Sequence, residues 1–160
     1  MSPAGVTFLD HTADVGMDVE APSLERLLDR AAAGMLALLR GEDDGGSAAA
    51  WSDAARTGRR AGSVDGTGGL GSRRHSLELE ADDPAGLLAE WLRELLFLHE
   101  VRHLDYAAAS FEILSPRRLS ARVELEPARR PVREIKGVTY HEIGVWRTPD
   151  GWRARVIFDV

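Results

Sequence analysis

Residues 14–39 read DVGMDVEAPSLERLLDRAAAGMLALL, and this one run carries a strand, a break and a helix. Val15, Met17 and Val19 alternate with Gly16, Asp18 and Glu20. Period two is the pattern of a strand with one buried face. Pro22 and Ser23 interrupt it, and the Ser23 hydroxyl suits a helix N-cap. Leu24, Leu27, Leu28, Ala31, Ala32, Met35 and Leu39 then fall on one helical stripe, with Arg26, Arg30 and Ala37 on the opposite side. Gly41 is a natural stop, because glycine enters the left-handed conformation of a helix C-terminus without a Cβ clash.

The same grammar recurs downstream. Leu77, Leu79 and Ala81 alternate with Ser76, Glu78 and Glu80, which predicts a strand. Asp82, Asp83 and Pro84 form an acidic cap followed by proline in the first turn, a strong helix start. Leu87, Leu88, Trp91, Leu92, Leu95 and Leu98 are its buried stripe. Phe97 falls on the polar side near Glu90, Arg93 and Glu94; the simplest expectation is that it packs against a loop near the helix end. Strands follow around Phe111 and Ile113, at Leu119–Leu125, from Val138 to Trp146, and from Trp152 to Asp159. Thr148, Pro149, Asp150 and Gly151 are turn residues, so the last two strands should pair as an antiparallel hairpin. The fold class is α+β: two amphipathic helices packed on one face of mainly antiparallel β-sheet.

Residues 41–74 differ in character. They hold nine glycines, several Ser, Ala and Arg, and almost no periodicity. Such a stretch buries too little apolar surface to offset its ordering entropy, which predicts a flexible insert in a single domain spanning 1–160. Gly66–Gly71 (GTGGLG) is not a phosphate loop: no clear strand precedes it and no Lys-Ser/Thr pair closes it.

Composition excludes several functions. The chain has 160 residues, 44% hydrophobic and 29% charged, the balance of a globular domain with a real core. The net charge of −6 argues against a free-standing nucleic-acid binder, because phosphate neutralisation requires basic surface. If RNA is involved, a partner protein holds it. With no cysteine, disulfides, thiolate metal sites and cysteine nucleophiles are excluded. The start, MSPAGVTFLD, has neither the basic nor the apolar region of a secretory signal. No apolar run approaches the roughly 20 residues of a membrane span. A cytoplasmic location, away from membranes, is the expectation.

Two clusters depart from the core pattern. Asp10-His11-Thr12-Ala13-Asp14-Val15-Gly16 puts two acids, a His and a Thr just before a strand. On spacing alone, a turn is the better account of them, since Asp and Thr side chains satisfy turn backbone groups. Lys136-Gly137-Val138-Thr139-Tyr140-His141-Glu142 would place Thr139 and His141 on one strand face, and Tyr140 and Glu142 on the other. Of the 20 Lys and Arg residues only Lys136 is Lys, so in this Arg-using chain a compact ammonium stands out. The C-terminal stretch Val156–Val160 is an apolar strand in which Asp159 neighbours the α-carboxylate of Val160. With Asp14 these groups would make an all-oxygen site, suited to Ca²⁺, Mg²⁺ or Mn²⁺ rather than to a soft metal.

In combination these segments resemble the archease family. DHTADVG (Asp10–Gly16) looks like its N-terminal signature and LLAEWLRELLFL (Leu87–Leu98) like its central helix. KGVTYH (Lys136–His141) and Phe158-Asp159-Val160 resemble its C-terminal motifs. The match runs in order over nearly the whole chain apart from 41–74, where this sequence is longer and more Gly-rich. Gly137 also stands where Ala commonly follows the motif Lys. The resemblance implies an accessory protein, not a catalyst, that activates a GTP-dependent RNA ligase joining 3′-phosphate to 5′-hydroxyl ends. It would promote ligase guanylylation and multiple turnover in tRNA splicing or RNA repair, touching RNA only through the ligase. It further implies divalent-cation ligands at Asp14, Asp159 and the Val160 carboxylate, with Lys136 as the motif Lys. His11, Thr12, Asp10 and His141 would shape that activator site. The alternatives are a metal-dependent phosphoester hydrolase and a chaperone-like partner of an RNA-modifying enzyme.

Overall fold

The computed structural model describes residues 5–10, 14–42, 73–140 and 142–160, with backbone only for Asp10. Eight strands and two helices follow in the order β1 (Val6–Asp10), β2 (Asp14–Ala21), α1 (Leu24–Leu39), β3 (Arg73–Glu80), α2 (Pro84–Arg102), β4 (Leu104–Ser115), β5 (Arg118–Pro127), β6 (Gly137–Val138), β7 (Gly144–Thr148) and β8 (Gly151–Asp159), counted among the described residues. The α+β expectation holds, and every strand pairing among these residues is antiparallel.

The helices do not lie on one sheet. The strands form two: β1-β2-β8 with β6 and β7 both along the far edge of β8, and a smaller β3-β5-β4 sheet. Each helix touches both sheets, α1 through β2 and β4, α2 through β3, β4, β6 and β7. That placement corrects the reading of α1 as one-sided. Ala37, expected on the polar side, is buried, and so is every residue from Ala31 to Leu39. A helix enclosed by two sheets and a second helix has no solvent face over that length.

Local signals behave as chemistry dictates. The Ser23 hydroxyl accepts from the Arg26 amide, and Asp83 accepts from the Gly86 amide at 2.7 Å, so each helix begins at its sequence-legible cap. Gly34 sits where α1 crosses β2: a Cβ there would lie 2.4 Å from the Met17 sulfur. The two helices are joined by the Trp91 indole, which donates to the Leu28 carbonyl at 3.0 Å and meets Tyr106 edge-on. Phe97 is not covered by a loop; it is 46% exposed.

Two boundaries move. Arg73 and Arg74, placed at the end of the glycine-rich insert, already belong to β3, paired with Leu125 and Glu124. The rest of the insert, 43–72, lies outside the described residues. The single strand expected from Val138 to Trp146 is broken into β6 and β7. Between them Thr139 still donates its amide to Ile157, but the chain then leaves the sheet, and Glu142 adopts a left-handed φ of 64°. Tyr140 is drawn onto α2 instead: its hydroxyl donates to Glu90, and Arg93 stacks 4.0 Å from its ring while binding the Val138 carbonyl. The predicted face alternation therefore fails at Tyr140 and Glu142, because chain that leaves the sheet no longer alternates its side chains between two faces. The hairpin between β7 and β8 forms at Thr148–Gly151 as expected.

Candidate functional site

The outer face of the larger sheet is where the polar motifs meet. On β2, Val15, Met17 and Val19 point into the core, so Asp14, Gly16, Asp18 and Glu20 take the other face. On β8, Ala154, Val156 and Phe158 are fully buried, which leaves Arg153, Arg155, Ile157 and Asp159 outward. The register then decides each pairing: Glu20 faces Arg153, Asp18 faces Arg155, Gly16 faces Ile157 and Asp14 faces Asp159.

Three of these rows are self-contained. Arg155 grips Asp18 with two bonds of 2.7 and 2.8 Å, and this fork holds the Asp18 carboxyl below its usual range. Arg153 pairs with Glu20. Gly16 is filled over by Leu9 and Ile157, an apolar row that separates the ion pairs from the end of the ladder.

The fourth row is different. Asp14 and Asp159 are both partly buried, and among the described residues neither makes an ion pair. Directly opposed residues on antiparallel strands have Cβ atoms roughly 5 Å apart, and like charges there repel. On the other side of Asp159 stands Gly137, its β6 partner, and among the described residues a Cβ built on Gly137 would meet nothing within 4 Å. The row thus runs acid, acid, open space. Lys136, one residue before, donates its amide to the Asp159 carbonyl at 2.7 Å and is itself exposed.

The fold therefore brings Asp14, Lys136, Asp159 and Val160 to one end of β8. Asp10 ends β1 opposite Val15, one position along from Asp14. His11, Thr12 and His141 lie outside the described residues. A hard divalent cation fits the chemistry of this corner, since two opposed carboxylates are oxygen donors whose repulsion a cation relieves. No three His, Cys, Asp or Glu side chains converge on one point among the described residues, so the remaining donors would come from elsewhere, such as water or a backbone oxygen. Gly137 was not singled out as a site residue; the signal available was a glycine following the lone lysine.

Two small antiparallel sheets around two helices, with an acid-rich outer corner, define a class of compact α+β protein. The profile of the Archease protein family (MTH1598/TM1083) matches residues 7–57 and 61–160, and the chain belongs to that family. It is 24% identical over 162 residues to protein archease of Methanosarcina barkeri, covering 96% of this chain and 94% of that one. It is 29% identical over 166 residues to protein archease of Archaeoglobus fulgidus, covering 96% and 97%. The solution structure of Methanobacterium thermoautotrophicum protein 1598 shares the fold with a TM-score of 0.60 at 22% identity, covering 98% of this chain and 99% of that one. The crystal structure of an archease, possible chaperone, from Thermotoga maritima superposes with a TM-score of 0.58 at 17% identity, covering 95% and 94%. Among the described residues no helix is long and apolar enough to cross a membrane.

Proposed function

We propose that this archease is a metal-binding activator of a GTP-dependent RNA ligase that joins 3′-phosphate to 5′-hydroxyl ends. It promotes guanylylation of the ligase and repeated turnover, in tRNA splicing or RNA repair, and is not itself the catalyst. The observation that supports this reading best is the Asp14–Asp159 row. A fold that neutralises its other outward acids on this ladder with arginine keeps two facing carboxylates beside an open glycine. Asp14 and Asp159 would hold a Ca²⁺, Mn²⁺ or Mg²⁺ ion, with Val160 next in line, and the ion would supply a Lewis-acidic positive centre. Lys136 would offer an ammonium to a phosphate or carboxylate brought by the ligase. Asp10, His11, Thr12 and His141 complete the proposed activator site. The description of the Thermotoga maritima protein as a possible chaperone fits an accessory protein of this kind.

Binding that favours the guanylylation-competent state of the ligase requires differential affinity for that state. The test is ligase turnover with and without this protein at fixed GTP and Mn²⁺. Stimulated, repeated ligation is expected, with no phosphoester turnover by the archease alone. Ligation unchanged by the archease would sink the activator reading; hydrolysis by the purified protein would favour the metal-dependent hydrolase.

A further inference from the structure

A second feature is built from other residues, where both helices end. A cleft of about 910 Å³ opens there between the last turn of α2 and the segment that follows β5. Its walls include Arg129, Arg130 and Arg133 against Glu100 and Glu134, three cations to two anions in a chain whose net charge is −6. Two of the carbonyls near the helix ends are already engaged. Leu39 accepts from the amides of Val132 and Arg133 at 2.8 and 3.1 Å, and Leu98 accepts from the His103 amide.

His99 is the decisive group. It lines the cleft while only 7% exposed. Its Nδ1 lies 2.6 Å from a carboxylate oxygen of the buried Asp105. Asp105 is held in turn by the Arg40 guanidinium at 2.9 Å and the Arg129 amide at 3.2 Å. An ionised Asp105 accepts a proton donated from Nδ1, so the tautomer is set and Nε2 is the ring nitrogen left for the cleft. Nε2 then accepts from a P–OH group or, when the ring is protonated, donates to a phosphate oxygen. Arg129 and Arg130 are exposed, carry the planar fork that matches a phosphate, and make no ion pair among the described residues.

From this arrangement we infer that the cleft is an anion subsite for a phosphate-bearing ligand, gripped by the Arg129 and Arg130 guanidinium groups and oriented by His99. The competing reading is a metal. His99-Glu100-Val101-Arg102-His103 has the H-E-x-x-H spacing of zinc sites. That spacing works only if both histidines share a helical face, and His103 is instead the helix C-cap in the left-handed conformation, φ 56° and ψ 43°. The subsite is independent of the activator reading, since it uses none of the residues of the acidic corner.

The test is calorimetric titration of the full chain with inorganic phosphate, a nucleoside monophosphate and a short 3′-phosphorylated RNA, each against chloride at equal ionic strength. The His99 imidazole is followed by NMR in parallel. Phosphate is expected to shift the His99 resonances, and the double variant Arg129→Gln, Arg130→Gln to bind at least about tenfold more weakly, the loss of charged hydrogen bonds. Both side chains are exposed and Arg129 reaches Asp105 only through its amide, so this variant keeps the buried network. Tighter binding of the nucleotide or of the RNA end than of inorganic phosphate would identify the source of the phosphate. No binding by any of the three probes, equal binding by wild type and double variant, or His99 resonances moved by Zn²⁺ but not by phosphate would each overturn the proposal.

Discussion

Two ends of one β-ladder carry acids on the same face and treat them in opposite ways. Toward the Ala21 end of β2, Asp18 and Glu20 each face an arginine of β8. At the other end Asp14 faces Asp159, with Gly137 leaving room beside them. The arginine-paired end is the ordinary solution for an exposed sheet face, where opposite charges across strands stabilise and like charges do not. An acid–acid row departs from that rule and costs stability unless a cation offsets it. On the proposed reading, a divalent cation is what offsets the one acid row of these two strands that has no arginine.

The comparison is broken most directly by making the two ends alike. Asp159→Arg converts the acidic row into a third acid–arginine pair. It should abolish divalent-cation binding, lower ligase activation by at least about tenfold, and stabilise the cation-free protein by a few tenths to about 1 kcal/mol. Calorimetric titration with Ca²⁺ and denaturant unfolding in chelator would check both halves. A variant that still binds Ca²⁺ with wild-type affinity would remove Asp159 from the proposed site.

A smaller effect is expected at Lys136. Lys136→Arg keeps the charge and the backbone bond to Asp159, so fold and cation affinity should be unchanged while activation falls severalfold, because a planar fork does not replace a compact ammonium. Activation equal to wild type would reduce Lys136 to a replaceable charge.

The paired end should answer to pH instead of to metal. The Arg155 fork lowers the Asp18 carboxyl in the folded state, so its contribution is fully present above the unfolded value near about 3.9. It is lost as pH falls through the lowered folded value. Asp18→Asn should therefore flatten the acid limb of the stability curve below roughly pH 4, with cation binding and activation untouched. Thermal melts across that range would show it, and a loss of Ca²⁺ affinity in this variant would join the two ends functionally.

The smallest effect is expected at Gly137→Ala. Among the described residues a methyl there meets nothing within 4 Å, so stability should change by no more than a few tenths of a kcal/mol and cation binding should persist. A marked drop in affinity would mean that the open space beside Asp159 is occupied in the working complex.

Much of the scaffold was legible because it depends on neighbours in sequence. Caps at Ser23 and Asp83, the stripe from Leu87 to Leu98 and the alternation of Leu119–Leu125 all rest on contacts within a few residues or on a simple inside-outside period. The errors came where a distant element set the outcome. Ala37 lay on the weak side of its helix by periodicity, yet the smaller sheet and the second helix complete the enclosure of α1. The strand expected through residues 139–142 gave way because α2 offers Tyr140 a carboxylate and a guanidinium. His99 interrupts a leucine stripe, and nothing local says that Arg40 and Asp105 will close around it.

The site divides along the same line. By itself the sequence determined that Asp18 and Glu20 share one strand face with Asp14 just before them, that a last strand runs from Trp152 to Asp159, and that a lone lysine precedes Gly137. Those three acids of β2 are not told apart at that level, since they fall an even number of residues apart, at spacings of four and two. Only the antiparallel register of β2 against β8, and of β6 on its far side, made two of them halves of salt bridges and the third half of an acidic row. Strand alternation is a local property of the backbone, whereas the residue across the ladder comes from more than a hundred positions away and is chosen by the packing of the whole sheet.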